Sequence, residues 1–275
     1  MSSIVERLFE RHRMAVMGVV NVTPDSFSDG GQHADATSAV AHALALIDAG
    51  AEAVDIGGES TRPGSDGVSA DVELERVVPV IAAVKAARPG AVVSIDTSKV
   101  DVARAALGSG AEIVNDVTAG AAPGMLDLVA ARGAAVVLMH MRGVPRTMQT
   151  DTRYDDVVED VRGFLVERAE AARRAGIPRD SILLDPGIGF GKDVAGNLAL
   201  LRGLDRLAST GHTVLVGTSR KSFLGLLTGA PVNERVGATL ASLVPALRLD
   251  RVVVRVHDVA EVVRFRAVLE ALGLA

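Results

Sequence analysis

The stretch ILLDPG, residues 182–187, carries the pattern that decides the fold of this chain: an aliphatic run ends abruptly at an acidic residue, and Gly-rich sequence follows. Eight runs of this kind occur along the 275 residues. They are MAVMGVV ending at Asn21, AVDIGG at Glu59, VVSID at Asp96, EIVND at Asn115 and Asp116, AVVLMH at Met139 and His140, ILLDPG at Asp185, TVLVGTS at Ser219, and VVVRVH at Arg255 and His257. Most of the reactive side chains therefore collect where the runs end.

Helix-length stretches with apolar residues three and four positions apart separate these runs. The clearest examples cover residues 36–49, 71–88, 155–175 and 258–271. Aliphatic runs without alternation predict strands that are covered on both faces, and strands that alternate with helices predict parallel βαβ units. Eight such units in 275 residues match one (β/α)8 TIM barrel, an α/β fold whose chemistry gathers at the carboxyl ends of the strands. A doubly wound open sheet is the alternative.

The composition is that of a globular protein with a large core. Hydrophobic residues make up 48% of the chain and charged residues 23%, far from the profile of a disordered protein. The sequence has no long Pro- or Ser-rich linker and no low-complexity tract. We therefore expect a single domain over residues 1–275, with a short N-terminal extension at residues 1–13.

The sequence also bounds the compartment and the kinds of site. It contains no cysteine, which excludes disulfides and thiolate zinc sites, and it lacks the HExxH ligand pair. The first residues, MSSIVERLFERHRMAV, mix charges throughout, and no run of 18 apolar residues occurs anywhere. We expect a soluble cytoplasmic protein without a membrane span.

The charge distribution points to a small anionic ligand rather than to nucleic acid. The formal net charge of -5 argues against nonspecific binding of nucleic acid, which needs a basic face. Basic residues nevertheless collect after two late strands, as Arg220 with Lys221 and as Arg255 with His257. Long basic side chains are often merely solvated, but both clusters fall where a barrel places its site.

Three sequence features suggest nucleotide binding, serine hydrolysis or histidine catalysis, but none of them is sufficient evidence for that function. GIGFGK, residues 187–192, lacks the GxGxxG spacing of a dinucleotide loop, and Asp193 stands where a Walker loop needs Ser or Thr. GTSRK around Ser219 lacks the GxSxG elbow of a serine hydrolase. We interpret the lone His140 as a hydrogen-bonded structural residue.

A stronger constellation comes from the ends of four different runs: Asp96, Asn115, Asp185 and Lys221. Each Asp or Asn alone could simply cap the following helix, as Asp96 in DTS would. Together, two carboxylates, an amide and an ammonium in a partly dry pocket match a flat heterocycle with donors and acceptors along its edge. An amino-oxo pyrimidine ring presents that pattern.

Motifs along almost the whole chain, from about Met14 to Asp258, strengthen this interpretation. They are NVTPDSFSDGG (21–31), DIGGESTRPG (55–64), SIDTSK (94–99), NDVTAG (115–120), MHMRGVPRTMQ (139–149), LDPGIGFGK (184–192), GTSRKSFLG (217–225) and RVHD (255–258). In this order they resemble the dihydropteroate synthases, the sulfonamide targets of folate synthesis. One departure is Thr118-Ala119, where the family often has Ser-Gly.

The resemblance implies a transferase. A dihydropterin that carries a hydroxymethyl diphosphate would condense with 4-aminobenzoate, in an SN1-like reaction that releases pyrophosphate and forms 7,8-dihydropteroate. It implies Mg²⁺ as the cofactor and a homodimer formed through helices near the C-terminal end.

The resemblance also implies roles for the residues that match the motifs. The pterin would be bound by Asp96, Asn115, Met139, Asp185, Lys221 and Arg255, with Met139 and Arg255 against its two faces. Asn21 would help to hold Mg²⁺ on the diphosphate, and Arg255 with His257 would bind the diphosphate oxygens. The catalytic set would be Asn21, Asp96, Asp185, Lys221 and Arg255. Two loops carrying Phe27, Asp29, Thr61, Arg62 and Pro63, together with Phe190 and Ser222, would form the aminobenzoate site.

Two other functions are compatible with parts of this pattern. A methyltetrahydrofolate corrinoid methyltransferase would share the Asp and Asn contacts to a pterin, but it does not need the SRK and RVH anion-binding groups. A catalytically silent pterin-binding protein would be expected to lose loop residues, whereas Asn21, Arg62, Lys221, Arg255 and His257 are all present.

Overall fold

The strands of this protein follow one another around a closed parallel barrel in the order in which they occur in the chain. The structure is a computed structural model that describes residues 3–23, 31–61 and 64–274. The strands are β1 (Met14–Asn21), β2 (Ala53–Gly57), β3 (Val92–Asp96), β4 (Ile113–Asp116), β5 (Ala135–Met139), β6 (Ile182–Asp185), β7 (Thr213–Val216) and β8 (Val252–Val256). Strand β1 pairs with both β2 and β8, so the sheet has no open edge.

Helices connect the strands and form the outer layer. They are α1 (Ile4–Leu8), α2 (Gly31–Asp48), α3 (Ala70–Ala87), α4 (Val100–Gly108), α5 (Met125–Arg132), α6 (Val157–Arg174), α7 (Val194–Arg202), α8 (Leu204–Ala208), α9 (Ser222–Thr228), α10 (Val236–Leu243) and α11 (Val259–Ala271). Polar residues at several starts explain where the helices begin. For example, the Asp193 carboxylate accepts a hydrogen bond from the Gly196 N–H and thereby caps α7.

Side-chain alternation along the strands separates a dry barrel floor from a polar mouth. Successive side chains of a strand point to opposite faces, so positions two apart share the barrel interior. The lower interior positions form one buried apolar cluster that includes Ala15, Met17, Ala53, Val92, Ile113, Ala135, Val137, Leu183, Leu215 and Val253. Two residues further along the strands lie polar side chains, among them Asp55, Asn115, Asp185 and Arg255. Residues from different strands therefore meet at the carboxyl ends.

The N-terminal segment closes the opposite end of the barrel. Helix α1 begins with a capping box, in which the Ser3 hydroxyl accepts from the Glu6 N–H and the Glu6 carboxylate accepts from the Ser3 N–H. Val5 and Leu8 on this helix are buried in the same apolar cluster as the lower interior residues. The segment that the sequence presents as a short extension is therefore part of the core.

The structure confirms the barrel, the ends of the eight strands and the four long helices within a few residues. The shorter helices α4, α5 and α7–α10 were not among the clear stretches of the sequence, since five to nine residues give little periodic signal. In the described part of the chain, no helix combines the length and the apolar character required to cross a bilayer.

Candidate active site

The guanidinium of Arg255, at the end of β8, lies at the centre of the mouth. Its Nε donates to Asp55 Oδ2 at 2.6 Å, and its Nη2 donates to Asp96 Oδ2 at 2.8 Å. Asn115 Nδ2 donates to the same Asp55 oxygen at 2.9 Å. Four strands, β2, β3, β4 and β8, are thus joined by one hydrogen-bonded group of side chains. Asp96 and Asn115 are used here and not as helix caps.

Charges in this group are taken out of water, and their pKa values move accordingly. Burial raises the pKa of the Asp96 carboxyl to about 7, although Arg255 acts in the opposite direction, and the carboxylates of Asp55, Glu73 and Asp116 raise it further. Burial lowers the pKa of Arg255, but Asp55 and Asp96 more than offset this and raise it. Arg255 therefore stays a cation, whereas Asp96 can exchange a proton near neutral pH.

Asp185 and Lys221 form the other side of the same mouth. Gly217 separates Lys221 from Arg255, because a Cβ atom built on this glycine would lie 4.0 Å from Lys221 Nζ and 3.9 Å from Arg255 Cβ. Burial lowers the pKa of Lys221 to about 8, and Asp185 opposes that shift. Burial likewise raises the pKa of Asp185, and Lys221 opposes it. The four residues that the sequence singled out, Asp96, Asn115, Asp185 and Lys221, are therefore brought together with Arg255.

The GIGFGK segment, residues 187–192, is a tight loop that contacts both of these groups. The Gly187 N–H donates to Asp185 Oδ1 at 2.7 Å, and the Lys221 ammonium donates to the Ile188 carbonyl. Lys221 Nζ also lies 4.5 Å from the centre of the Phe190 ring. Gly187 has a φ of 66°, and a Cβ there would lie 1.9 Å from the His140 carbonyl oxygen. Close approach of two loops, and not phosphate binding, explains this glycine.

Beneath the loop, Lys192 and His140 form a buried pair. Lys192 Nζ lies 3.0 Å from His140 Nδ1 and donates to the carbonyls of Gly187 at 3.0 Å and Phe190 at 2.8 Å. Burial lowers the pKa of His140 to about 3, and the Lys192 charge acts in the same direction. The ring is therefore neutral and accepts a hydrogen bond at Nδ1. This confirms the interpretation of His140 as a structural residue.

The residues of the two basic clusters after β7 and β8 have different partners. Arg220 has a φ of 61° and pairs with Asp258, through a 3.0 Å bond from Nε and a second contact from Nη2. Lys221, one residue later, enters the mouth. His257 is half-buried, and its Nδ1 lies 3.0 Å from Ser219 Oγ. The Arg220 side chain is therefore engaged by Asp258, whereas Lys221 lies beside Asp185.

Met139 and Thr61 belong to the wall of a cavity of about 520 Å³ beside this mouth. Met139 is buried at the end of β5, and Thr61 is the last described residue of the loop after β2. Ser65 and Pro145 line the same cavity, as does Phe164 from α6. Of the site residues that the sequence predicts, the described lining of this cavity includes Met139 and Thr61 but not Phe190 or Ser222.

The remaining expected site residues lie around the rim or outside the described residues. Asn21 ends β1 opposite Gly57 and is half-buried, Ser222 is exposed at the start of α9, and Phe190 is half-buried. Phe27, Asp29, Arg62 and Pro63 lie outside the described residues.

Three features of the site have no counterpart in the sequence interpretation. Asp55 is fully buried and holds both Arg255 and Asn115; its only signal was an acid inside the run AVDIGG. Lys192 was considered only as a Walker-type lysine. Lys99 joins Glu59 and Glu73 at 2.7 Å and 2.6 Å below the loop that carries Thr61. None of these pairings could be found from spacing, because the partners are far apart in the chain.

The comparisons with known proteins agree with this geometry. The sequence pattern of the family described as "Pterin binding enzyme" matches residues 17–257. A dihydropteroate synthase of Escherichia coli strain K12 is 46% identical over 256 residues, which cover 93% of this chain and 90% of that protein. The chain belongs to the dihydropteroate synthase family of pterin binding enzymes.

Solved structures of this family have the same fold. A Xanthomonas albilineans dihydropteroate synthase with 4-aminobenzoic acid superposes with a TM-score of 0.89 at 48% identity, covering 96% of this chain and 94% of that one. A second structure from the same organism, in complex with 7,8-dihydropteroate, gives a TM-score of 0.86 at 45% identity and covers 96% and 95%. One departure from the family is visible in the backbone. Ala119, where Gly is often found, has a φ of 56°, a left-handed conformation that favours glycine.

Proposed function

We propose that this chain condenses (7,8-dihydropterin-6-yl)methyl diphosphate with 4-aminobenzoate and releases 7,8-dihydropteroate and pyrophosphate. The observation that carries the proposal is the convergence of Asp96, Asn115, Asp185, Lys221 and Arg255 in one mouth of the barrel. A dihydropteroate synthase in complex with 7,8-dihydropteroate has the same fold, which supports the assignment of the product.

The pterin is recognised along its polar edge. The amino-oxo pyrimidine part of the ring presents N–H donors and a carbonyl acceptor, which match the carboxylate of Asp185, the amide of Asn115 and the ammonium of Lys221. The flat faces of the ring fit between the thioether of Met139 and the planar guanidinium of Arg255. Lys221 would exchange its contact with the Ile188 carbonyl for one to the ring.

The charge distribution of the mouth favours an SN1-like path. When the C–O bond to the diphosphate breaks, the electron pair leaves with the diphosphate oxygen, and a cation remains delocalised over the methylene and the pterin ring. Three carboxylates, Asp55, Asp96 and Asp185, face two cations, Arg255 and Lys221. Carboxylates fixed in a dry site stabilise the developing cation. The arylamine nitrogen then bonds to the methylene and releases its proton to water.

The departing diphosphate needs positive charge at the rim. Arg255 and His257 would donate to its oxygens and stabilise the negative charge that develops there. When the Ser219 hydroxyl donates to His257 Nδ1, the ring proton lies on Nε2, and this N–H can donate to the diphosphate.

Asn21 at the end of β1 would supply an amide oxygen for Mg²⁺. Among the described residues there is no group of three or more His, Cys, Asp or Glu side chains that could hold a metal. This fits an ion that arrives with the substrate, because Mg²⁺ typically takes one or two protein ligands together with phosphate oxygens and water. Bound there, Mg²⁺ would neutralise charge on the leaving group.

The aminobenzoate would occupy the side of the mouth next to Phe190. The ring of Phe190 can pack on the arene, and Ser222, at the start of α9, faces its carboxylate in this arrangement. Thr61 with Arg62 and Pro63, and the loop with Phe27 and Asp29, would close over the reacting centre and exclude water, which otherwise captures the cation.

We also propose that the enzyme works in the cytoplasm as a homodimer. Val244, Val268 and Leu272, in the C-terminal part of the chain, expose roughly half of their surface or more, which supports an apolar contact there. Sedimentation equilibrium of the purified protein should give the mass of two chains. A mass equal to the 28.4 kDa of one chain would contradict this part of the proposal.

The central experiment measures pyrophosphate release by the purified protein with both substrates and Mg²⁺. We expect pyrophosphate and dihydropteroate in equal amounts, dependent on aminobenzoate, and loss of turnover when a chelator removes the metal. A protein that binds pterin diphosphate but releases no pyrophosphate under magnesium-replete conditions would be a silent pterin-binding protein.

A further inference from the structure

We propose that Lys192 is a positioning residue of the reaction: its buried ammonium fastens the 187–190 loop and so places three substrate-contacting groups at once. The proposal rests on the function proposed above, because it concerns the same site. GIGFGK resembles a phosphate-binding loop in sequence, yet its lysine points into the protein interior and not toward the mouth.

The ammonium occupies a site built from both ends of the loop and from the neighbouring strand. Its partners are the carbonyls of Gly187 at 3.0 Å, Phe190 at 2.8 Å and His140 at 3.3 Å, and the Nδ1 atom of His140 at 3.0 Å. The Lys192 side chain is only 3% exposed. Burial lowers the pKa of Lys192 to about 7, although Asp185 opposes this shift. In its protonated form, the three N–H donors hold the two ends of the loop against the residue that follows β5.

Three residues of the loop contact different groups of the mouth. The Gly187 N–H donates to Asp185 Oδ1, and the Ile188 carbonyl accepts from Lys221. Phe190 presents its ring to the Lys221 ammonium. Asp185 and Lys221, which we propose to bind the pterin, and Phe190, which we propose to pack on the aminobenzoate, are therefore all held by one short loop.

Side chains of other segments also form hydrogen bonds to the loop. Asn197 on α7 is buried and accepts the Gly189 N–H at 2.6 Å. Gln149 donates to the Gly189 carbonyl at 2.9 Å, and the Tyr154 hydroxyl donates to the Gly191 carbonyl at 3.0 Å. Lys192 differs from these three in binding the carbonyls at both ends of the 187–190 turn.

The test compares Lys192→Met with a pair of His140 variants and a matched control. Methionine keeps the length and bulk of lysine but has no donor. His140→Asn keeps an acceptor near the position of Nδ1, and His140→Leu removes it. Arg266→Met is the control, because Arg266 is a buried cation that donates to the Met14 carbonyl and Glu52 at the far end of the barrel.

We expect Lys192→Met to lower kcat/KM by about 10- to 100-fold, because displacements near 1 Å in a preorganised site cost this much. The KM for aminobenzoate should rise by about tenfold. His140→Leu should move in the same direction, His140→Asn should stay near the wild type, and Arg266→Met should lose thermal stability without a change in KM. Equal effects of Lys192→Met and Arg266→Met on both substrates would show a merely structural lysine and would overturn the proposal.

Hydrogen exchange provides a readout that does not depend on turnover. In the free protein, Lys192→Met and His140→Leu should speed amide exchange at Gly187 and Phe190 by at least about tenfold relative to the wild type, while Arg266→Met should not. If amide exchange at Gly187 and Phe190 is slow in the wild type and faster in the two variants, but the wild type releases no pyrophosphate, the proposed reaction is wrong and the role of Lys192 in holding the loop is supported. Unchanged amide exchange in both Lys192→Met and His140→Leu would contradict the proposal that Lys192 holds the loop.

Discussion

Replacing Asp96 with asparagine should make the empty protein more stable at neutral and alkaline pH while making it a poorer catalyst. The Asp96 carboxylate is held among other acids, with 12% of its side chain exposed. Burial raises its pKa from 3.8 to about 7. Asparagine has nearly the same shape, and its Oδ1 can still accept from Arg255, but it carries no charge that must be desolvated.

The size of the effect follows from the pKa difference between the unfolded and folded protein. For an acid whose pKa is raised on folding, stability is fully present below the unfolded pKa of 3.8 and falls as the pH rises toward about 7. The full difference corresponds to roughly 4 kcal/mol at about pH 8. The pKa difference already includes the attraction of Arg255, but the N–H groups of the asparagine amide need partners in this buried site, so we expect a net gain of about 1 to 3 kcal/mol.

Urea unfolding of the wild type and Asp96→Asn between about pH 5 and about pH 8 measures this directly. The stability of the variant relative to the wild type should increase up to about pH 7 and then level off. A difference that is independent of pH, or a variant less stable than the wild type throughout, would refute the reasoning about desolvated charge.

Turnover of the same variant tests the catalytic role. The neutral amide cannot stabilise a cation, so kcat should fall by about 10²- to 10³-fold while pterin affinity changes much less. Equal losses would mean that Asp96 binds substrate and transition state alike. Glu52→Gln is the matched control: Glu52 is a partly buried acid at the far end of the barrel that accepts from Arg266 and should not affect turnover.

Four further substitutions test which residues belong to the mouth. Asp185→Ala and Lys221→Ala should each weaken pterin binding by about tenfold or more in calorimetric titrations, since each removes a charged hydrogen bond; unchanged affinity in both would exclude them from the site. Asp55→Ala should lower the free energy of unfolding by about 3 kcal/mol or more in urea, because it leaves Arg255 with one carboxylate, and a loss below about 1 kcal/mol would contradict that. Arg220→Ala should retain turnover, and its free energy of unfolding should fall by less than about 1 kcal/mol. A large loss of kcat would instead indicate that Arg220 takes part in the reaction.

The outline of the fold and the place of the site were accessible from local sequence. Strand ends at Asn21, Asp96, Asp185 and Arg255 could be found because apolar runs stop where a strand leaves the core. A parallel barrel gathers such ends at one face, so their meeting in space follows from topology. The family motifs then indicated which of these residues face a pterin.

The pairings inside the mouth were not accessible in the same way. Arg255 and Asp55 are 200 residues apart, and Lys192 and His140 are 52 apart. No local periodicity relates such partners. Arg220 and Lys221 are adjacent in the chain and both are basic. Lys221 nevertheless lies beside Asp185 in the mouth, whereas Arg220 pairs with Asp258.

By itself the sequence determined a barrel of eight strands, its polar mouth and a family whose chemistry suits that mouth, since hydrophobic periodicity and strand ends are local properties of a chain. Only the tertiary structure decided that Asp55 binds Arg255, that Lys192 contacts both ends of a loop and that Arg220 pairs with Asp258. The physical reason is that strand register, the left-handed turn at Arg220 and the loss of solvent around each charge arise only when distant segments pack together.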